Sequence, residues 1–407
     1  MSCIVIGKVT AARPVVTSIR RTRSGDTLRI HPSFTVGEIA KPRVLRMRLP
    51  LVVSIESTAA MSGVISRWFI CSIDTGESMK STGTCGLVGA SGQMCVAMTT
   101  EPGVVSPMGG GFVTIWPAGE EPETIDGNVA MPGRGLPEDR FGQGLRQFDL
   151  AYGGGITIFG GWGSAGIPGA LSALQLAHDR HGSGAWAQAI EPAETAAREG
   201  FRLGSAAASY LALTTDNLFG WDRETTATLT RADGTHLQAG DKIRDTALAD
   251  SWARIGEHGA GDLYTGEIGR RLADACAANG GLITAEDLAA YEPIVRQPLR
   301  MSLGDWDIAT NPPPSIGGPM LAVMLSELVR RGRIEWADII EVQQAVLTYR
   351  STVHDYSPDL EEDGYLMLET GVAPEASRDL FEAVQRKDNG ALATATQMFQ
   401  RTMGVPS

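Results

Sequence analysis

Residues 153–201, GGGITIFGGWGSAGIPGALSALQLAHDRHGSGAWAQAIEPAETAAREGF, decide the fold of this chain. The β-branched and aromatic run at 156–159 predicts a strand that leads into a glycine-rich turn. Apolar side chains then recur at helical spacing, so a helix is predicted next. Pro168 suits the first turn of this helix and Gly182 marks its end.

Further helical segments follow the first one. Residues 186–200 predict a second helix, in which Pro192 marks a bend or a restart and Gly200 is the expected C-terminal cap. An alanine-rich segment at 203–213 comes next. The unit is therefore a strand, a glycine turn and two helices in succession.

The same glycine turn also matches a nucleotide-binding motif. Residues 161–166 spell GxGxxG between the predicted strand and helix, and Glu191 lies at a suitable distance downstream for a ribose contact. A Rossmann unit, however, returns to a parallel strand directly after its first helix. Because more helix follows here, the βαβ unit is missing, and a nucleotide-binding enzyme remains only a third hypothesis.

Four stretches of the chain resemble the large subunit of γ-glutamyltranspeptidases, in the same order and at similar spacing. In chain order they are VVSPMGGGFVTIW at 104–116, the helical stretch from Gly166 to AREGF at 197–201, GGLITAEDLAAYEPIV at 280–295 and NPPPSIGGPMLAVML at 311–325. The resemblance covers residues 86–369, and the combination is far more specific than any single motif.

This resemblance implies an N-terminal-nucleophile hydrolase of mixed α/β class, with the four-layer αββα fold, of which this chain forms the large-subunit part with an incomplete sheet. It implies an amidohydrolase or acyltransferase acting on γ-glutamyl compounds such as glutathione, or on a related acyl amide. In this family autocleavage releases a small subunit that begins with the catalytic threonine, so that subunit is the implied partner. No cofactor and no metal is expected.

The amino-acid composition limits the classes of protein to which this chain can belong. The 407 residues are 43% hydrophobic and 20% charged, as in ordinary soluble globular proteins, and the net charge of −12 argues against a nucleic-acid partner. No apolar run approaches the length that spans a bilayer, and Lys8, Arg13 and Pro14 interrupt any signal-peptide core, so a cytoplasmic location is expected. Five cysteines without CxxC or Cys/His spacing favour free thiols over a zinc site.

Residues 1–88 differ in charge from residues 89–407. The first segment holds 12 Lys and Arg against 5 Asp and Glu, whereas the remainder holds 23 of the chain's 35 basic and 42 of its 47 acidic residues. The first segment could be a basic arm that docks on a polyanion or on the acidic body. Because its run IRRTRSGDTLRI has no helical or strand period, we instead expect a poorly ordered segment, with short strands at 51–53 and 68–71 at most.

The stretch IDGNVAMPGRG at 125–135 carries the main departure from the family pattern. The resemblance implies an arginine that holds the α-carboxylate of the γ-glutamyl substrate, and Asn128 occupies that position. An arginine grips a carboxylate through two charge-assisted hydrogen bonds, while an asparagine offers one neutral amide. Specificity for γ-glutamyl groups is therefore in question. Arg134 and Arg140 are candidates to replace the lost arginine.

The remaining candidate substrate-binding residues come from two loops. Residues 112–116 and 123–126 predict two strands joined by a hairpin turn at 117–121. The three glycines before the first strand let the backbone approach either another strand or a ligand. Three prolines and two glycines before the predicted helix at 320–330 indicate a rigid loop that either walls the active site or only packs. The full candidate set is Asn128, Arg134, Gly110, Gly111, Ser315, Gly317 and Gly318.

Three other clusters are better explained by local structure. His178 and His181 near a helix end lack a carboxylate ligand at matching spacing, which favours placement at the negative helix terminus over metal binding. Residues 284–287 predict an N-cap followed by first-turn acids. Residues 359–363 predict a solvated acidic loop.

The C-terminal residues bear on catalysis. After the last predicted helix, at 390–403, nothing resembles a threonine nucleophile followed by strands, and no internal Ser, Thr or Cys lies in a nucleophile motif. We therefore expect no catalytic residue on this chain and no activity from it alone. The second hypothesis is a catalytically inactive remnant, or a small-molecule-binding protein on the same scaffold.

Overall fold

The computed structural model describes residues 4–7, 54–55 and 87–370, except residues 118, 151–155, 183, 304–305, 333 and 353. The described chain is mixed α/β, which confirms the predicted fold class. The helices are α1 (Leu87–Thr100), α2 (Ala170–His181), α3 (Trp186–Glu199), α4 (Ser205–Thr214), α5 (Arg223–Leu229), α6 (Thr246–His258), α7 (Glu267–Ala278), α8 (Ala285–Ala289), α9 (Gly317–Arg330), α10 (Trp336–Thr352) and α11 (Leu360–Thr370). The strands are β1 (Ile4–Gly7), β2 (Ser54–Ile55), β3 (Gly111–Ile115), β4 (Glu123–Gly127), β5 (Arg146–Leu150), β6 (Ile156–Gly160), β7 (Phe201–Arg202), β8 (Lys242–Ile243), β9 (Ile294–Arg296), β10 (Leu299–Leu303) and β11 (Trp306–Thr310).

The strands form small sheets in the orders β2-β3-β4-β9 and β1-β11-β10, together with the two-stranded ribbons β5-β6 and β7-β8. Every strand pair in the described part of the chain is antiparallel. In particular, β6 pairs with β5, and β7, which follows α3, pairs with β8. The parallel βαβ unit of a nucleotide-binding fold is thus not formed by these strands.

The predicted hairpin is present as β3 and β4, with Gly111 opposite Gly127. All five residues of β3 are buried, because both faces of this strand are covered. Val113 packs towards Ala173 and Ala177 of α2, whereas the buried Thr114 hydroxyl donates to Asn311 Oδ1 at 2.6 Å. The hairpin therefore lies between α2 and the proline-rich loop that precedes α9.

The largest hydrophobic core joins α1, α3 and α6 around Trp252, which is fully buried. Its indole Nε1 donates to Thr99 Oγ1 at 2.9 Å, and that hydroxyl donates to the Cys95 carbonyl at 2.9 Å. Small side chains on α3, including Ala189, allow the helices to approach closely; a Cβ on Gly92 of α1 would lie 3.1 Å from the Ala189 carbonyl oxygen. No described helix is long and apolar enough to cross a membrane.

Two proline predictions need correction. Helix α2 begins at Ala170 with Gly169 as its N-cap, so Pro168 precedes the helix instead of lying in its first turn. Helix α3 runs through Pro192 without a restart. The proline removes one backbone donor, but the buried face of α3 packs on both α1 and α6 and holds the helix together. Gly200, with φ of 93°, ends α3 as predicted.

The acidic stretch at 359–363 is not a solvated loop. Asp359 caps the start of α11 by accepting hydrogen bonds from the Glu361 and Glu362 amides, at 3.0 and 2.9 Å. Asp363 is buried and accepts a hydrogen bond from the Tyr349 hydroxyl of α10 at 2.8 Å. The predicted loop is therefore the first turn of a helix that packs on α9 and α10.

The predictions for the chain ends fall mostly outside the described residues. Within residues 1–88, only β1, β2 and the first two residues of α1 are described; β1 pairs with β11, and β2 pairs with β3. The strands expected at 51–53 and 68–71 and the helix expected at 390–403 lie outside the described part of the chain. The division into residues 1–88 and 89–407 remains a prediction.

Candidate active site

A pocket of about 280 Å³ lies where the loop after β4 meets the segment that follows α8. Asn128 and Arg134 both line it, so the structure brings together two residues that the sequence singled out. Its other walls come from distant parts of the chain. The described residues that line it are Asp126, Asn128, Val129, Ala130, Met131, Arg134, Ile167, Asp287, Ala290, Tyr291, Glu292, Ile294 and Pro314.

Asp126 fixes the direction in which the chain leaves β4. One carboxylate oxygen accepts a hydrogen bond from the Asn128 amide at 2.9 Å, and the other accepts from Arg296 Nε of β9 at 2.8 Å. Arg296 also contacts Glu361 at 3.1 Å, so it bridges two carboxylates. Because Asp126 is buried and paired with Arg296, it serves as an anchor for the loop.

Tyr291 holds the same loop from the opposite side. Its hydroxyl donates to the Asn128 carbonyl at 2.7 Å, and its ring stacks on Tyr264 with centroids 5.5 Å apart. The Tyr264 hydroxyl in turn donates to the Pro168 carbonyl at 2.8 Å. Burial raises the pKa of both phenols, and for Tyr291 the nearby Tyr264 and Asp126 raise the pKa further. Both hydroxyls are therefore neutral hydrogen-bond donors at physiological pH.

Gly169 makes this arrangement possible by leaving room for it. A Cβ at residue 169 would lie 1.9 Å from the Tyr291 hydroxyl oxygen and 2.3 Å from the Gly127 carbonyl oxygen. A Cβ on Gly127 would in turn lie 2.4 Å from the Ala173 Cβ. The start of α2 and the end of β4 can approach this closely only because both positions lack a side chain.

The predicted glycines Gly110 and Gly111 lie beneath the loop and do not line the pocket. A Cβ on Gly110 would lie 2.4 Å from the Val129 amide nitrogen, and Gly111 pairs with Gly127 across the hairpin. The preceding residue, Gly109, accepts hydrogen bonds through its carbonyl from the Gly169 and Ala170 amides, at 3.0 and 3.1 Å. Here the glycine run supports close backbone packing and the N-terminus of α2.

Asp287 is the site residue whose role the sequence did not reveal. The capping box with Thr284 is confirmed, but the Asp287 carboxylate also accepts hydrogen bonds from the Gly133 and Arg134 amides, at 2.8 and 3.1 Å. Burial alone would raise the pKa of Asp287, but the hydrogen bonds from Gly133, Arg134 and Thr284 outweigh burial and place the pKa below its ordinary value. This carboxylate joins α8 to the pocket loop.

The two candidate arginines occupy different places. The Arg134 side chain is 62% exposed at the pocket, with Nε 3.8 Å from Asp287 Oδ1. Arg140 is absent from the pocket lining, and its Nη2 lies 3.5 Å from the Gly281 carbonyl oxygen. Among the described residues that line the pocket, only Arg134 carries a positive charge. Asn128 itself is half-buried, and its Oδ1 accepts a hydrogen bond from the Val129 amide at 2.9 Å.

The proline-rich loop contributes one wall. Pro314 lines the pocket, whereas Ser315 is buried and Gly317 and Gly318 begin α9 outside the lining. A Cβ on Gly318 would lie 1.8 Å from the Asn311 carbonyl oxygen, so this glycine is required for packing. The loop therefore both forms a wall and packs. A substrate role for Ser315, Gly317 and Gly318 remains a prediction.

The histidines near the end of α2 have protein partners. His181 Nε2 lies 2.6 Å from Glu123 Oε1, and Arg180 donates two hydrogen bonds to the same carboxylate. His178 is buried, and its ring forms a T-shaped pair with the Trp186 ring at a centroid distance of 5.4 Å. Among the described residues, no three His, Cys, Asp or Glu side chains are grouped so that they could hold a metal ion.

Known proteins resemble this chain in sequence. The family model of gamma-glutamyltranspeptidase matches residues 91–386. The glutathione hydrolase 5 proenzyme of Mus musculus is 37% identical over 166 residues, which span 40% of this chain and 28% of that protein. The acylase ACY 1 proenzyme of Pseudomonas sp. (strain SE83) is 33% identical over 236 residues, which span 56% of this chain and 40% of that protein. The chain thus spans less than half the length of these relatives.

Solved structures resemble the chain in fold. The γ-glutamyltranspeptidase of Helicobacter pylori superposes with a TM-score of 0.57 at 21% identity, covering 73% of this chain and 84% of that one. The cephalosporin acylase of Bacillus halodurans superposes with a TM-score of 0.56 at 18% identity, covering 87% of this chain and 63% of that one. The fold is therefore that of the solved γ-glutamyltranspeptidase structures, of which this chain covers part. The chain belongs to the γ-glutamyltranspeptidase family.

The carboxylate of Asp287 generates a pH-dependent prediction. Because its pKa is lowered in the folded state, its stabilising effect is complete above the unfolded value of about 3.9 and is lost as the pH falls through the folded pKa. Asp287→Asn should lower the free energy of unfolding at pH 7 by about 1–3 kcal/mol, since two amides lose a charged acceptor. Denaturant titrations from pH 7 to pH 3 measure the difference.

Asp179→Asn provides the matched control, because Asp179 is exposed on α2. We expect this variant to stay within about 0.5 kcal/mol of the wild type at pH 7. The difference between wild type and Asp287→Asn should shrink below about pH 4. A difference that is constant across this range would show that the charge of Asp287 is not what stabilises the loop.

The contact at Gly169 generates a second prediction. Gly169→Ala should destabilise the fold by about 1–3 kcal/mol, because the new methyl group must displace backbone and Tyr291 atoms. Gly261→Ala is the control, since a Cβ there would meet no atom within 4 Å. Thermal and denaturant unfolding measure both variants. Equal stability of the two variants would contradict the close packing of α2 on β4.

Proposed function

We propose that this chain forms the large-subunit part of a γ-glutamyltranspeptidase-like amidohydrolase or acyltransferase, and that the pocket beside Asn128 receives the acyl group of the substrate. Its substrate is a γ-glutamyl compound such as glutathione or a related acyl amide. The partner is a small-subunit polypeptide that begins with the nucleophilic threonine.

The position of Asn128 carries this proposal. Its loop emerges from the central hairpin, lines the pocket and is held there by Asp126, Tyr291 and Asp287. Family membership supports amide chemistry, and relatives named as a glutathione hydrolase and as an acylase support either a γ-glutamyl or another acyl group. A well-formed pocket with a few polar groups is the ordinary form of a small-molecule site.

The chemistry follows from a threonine nucleophile. The threonine hydroxyl attacks the amide carbonyl, its proton passes to the α-amino group or to a nearby water, and the amine leaves with a proton. An acyl–threonine ester remains. Water then hydrolyses this ester, or an acceptor amine takes the acyl group. The residues of this chain hold the acyl group in place during both steps.

The proposal predicts that the 407-residue polypeptide alone is inactive. In this mechanism the attacking group belongs to the small subunit, so binding residues without a nucleophile give no turnover. Purified chain should not release p-nitroaniline from acyl p-nitroanilides. Addition of a small-subunit polypeptide that begins with threonine should restore release, and replacement of that threonine by alanine should abolish it.

Turnover by the chain alone, free of host enzymes, would show that it carries its own nucleophile. Specific ligand binding without turnover in the presence of the small subunit would favour the alternative of a binding protein on the same scaffold.

Asn128→Arg tests the role of the pocket. The variant should raise kcat/KM for a γ-glutamyl p-nitroanilide by about ten- to a hundredfold, because a guanidinium can bind the α-carboxylate through two charge-assisted hydrogen bonds. Steady-state kinetics of the assembled protein measure the change. Asn217→Arg is the control for the added charge, since Asn217 is exposed and outside the pocket.

A low KM of the wild type for the γ-glutamyl donor would contradict the idea that Asn128 weakens binding. No gain in Asn128→Arg would mean that another residue grips the carboxylate.

A further inference from the structure

We propose that the pocket beside Asn128 selects acyl groups that carry no ionised carboxylate, so that the substrate is an amide of a carboxylate-free acyl group. This inference rests on the proposed function and adds the substrate class. It follows from the charges and the apolar surface that surround the pocket.

The ionisable lining of the pocket is dominated by acids. In the part of the chain that the structure describes, Asp126, Asp287 and Glu292 line it together with a single cation, Arg134. Substrate carboxylates are bound in proteins by groups of opposite charge or by clustered amide donors. Because Asp126 is paired with Arg296, the lining keeps two further carboxylates against one guanidinium, and this excess of negative charge repels an incoming anion.

The one lining cation already faces a carboxylate. Arg134 Nε is 3.8 Å from Asp287 Oδ1, and the Asp287 side chain is fully buried and cannot turn towards water. A substrate carboxylate would therefore compete with a fixed negative charge for Arg134. The Arg134 side chain is also 62% exposed, so water screens its charge and weakens its pull on a ligand.

The second arginine near the pocket, Arg296, is also paired with protein carboxylates. Arg296 lies outside the lining, donates to Asp126 at 2.8 Å and contacts Glu361 at 3.1 Å. Its charge is shared between two protein carboxylates. Glu292, which is exposed, adds a further negative charge at the rim.

The uncharged part of the lining is apolar. Val129, Met131 and Ile294 are 42%, 84% and 52% exposed, and Ala130, Ala290 and Pro314 lie beside them. Hydrocarbon that covers these side chains removes apolar surface from water, and the unbranched Met131 can adapt to its shape. Such a surface suits an alkyl or aryl acyl chain.

Four p-nitroanilides that share a four-carbon acyl chain and differ in the charged groups on C4 test the effect of each charge on turnover. The butyryl amide carries no charge on C4, the 4-aminobutyryl amide carries an ammonium, the glutaryl amide carries a carboxylate, and the γ-glutamyl amide carries both. The assembled protein, with its small subunit, is assayed with each. We expect kcat/KM for the two carboxylate-free amides to exceed that for their carboxylate-bearing counterparts by about tenfold or more.

A higher kcat/KM for the glutaryl or γ-glutamyl amide would overturn this inference while leaving the proposed function intact. Equal values for all four amides would also overturn it. No turnover of any of the four, together with no binding of butyramide, 4-aminobutyramide, glutaramate or glutamine to the 407-residue chain by ligand-observed NMR, would overturn the proposed function and this inference with it.

Glu292→Gln tests the contribution of pocket charge. Removing one negative charge should narrow the ratio of kcat/KM between the butyryl and glutaryl amides by about two- to tenfold. Glu286→Gln makes the same substitution at an exposed residue of α8 outside the lining, and it should leave the ratio unchanged. An equal change in both variants, or none in Glu292→Gln, would show that pocket charge does not set the preference.

Discussion

The close approach of α2 to the end of β4 is the constraint on which the rest of the site depends. Gly127 and Gly169 face each other where any side chain would collide with backbone atoms. Helix α2 is anchored there by two hydrogen bonds to the Gly109 carbonyl. With this contact in place, the Tyr291 hydroxyl can reach the Asn128 carbonyl, and the loop that carries Asn128 has a fixed starting point.

Hydrogen bonds with Asp126 at the end of β4 and with two residues distant in the chain, Tyr291 and Asp287, then fix the course of the loop. Asp126 accepts a hydrogen bond from the Asn128 amide, and Tyr291 donates one to the Asn128 carbonyl. Asp287 accepts hydrogen bonds from the Gly133 and Arg134 amides. Buried carboxylates are tolerated in this arrangement because each has donors: Asp126 has an arginine and an amide, and Asp287 has amides and a hydroxyl. The backbone that lines the pocket is thus fixed by hydrogen bonds to side chains outside the loop.

Local patterns predicted much of the fold. The hairpin of β3 and β4, the helices α2 and α3 and the caps at Gly200 and Thr284 all depend on neighbouring residues, so their signals are contained in the sequence. Long-range partners leave no such signal. Asp287 matches a capping box, which accounts for it locally, and its bonds to residues more than 150 positions earlier could not be inferred. The acidic residues around Asp363 indicate a surface position, because its partner Tyr349 lies on another helix and leaves no local signal.

The loop is held through its backbone, so its side chains can differ without a change in its path. Asp126, Tyr291 and Asp287 all bind backbone groups of residues 128–134, so the path of the loop does not depend on which side chain occupies position 128. A different side chain at position 128 would leave these bonds in place, whereas replacement of Gly127 or Gly169 would break the packing beneath them. The side chains that face the pocket can therefore vary, while the glycines and the buried carboxylates keep its shape.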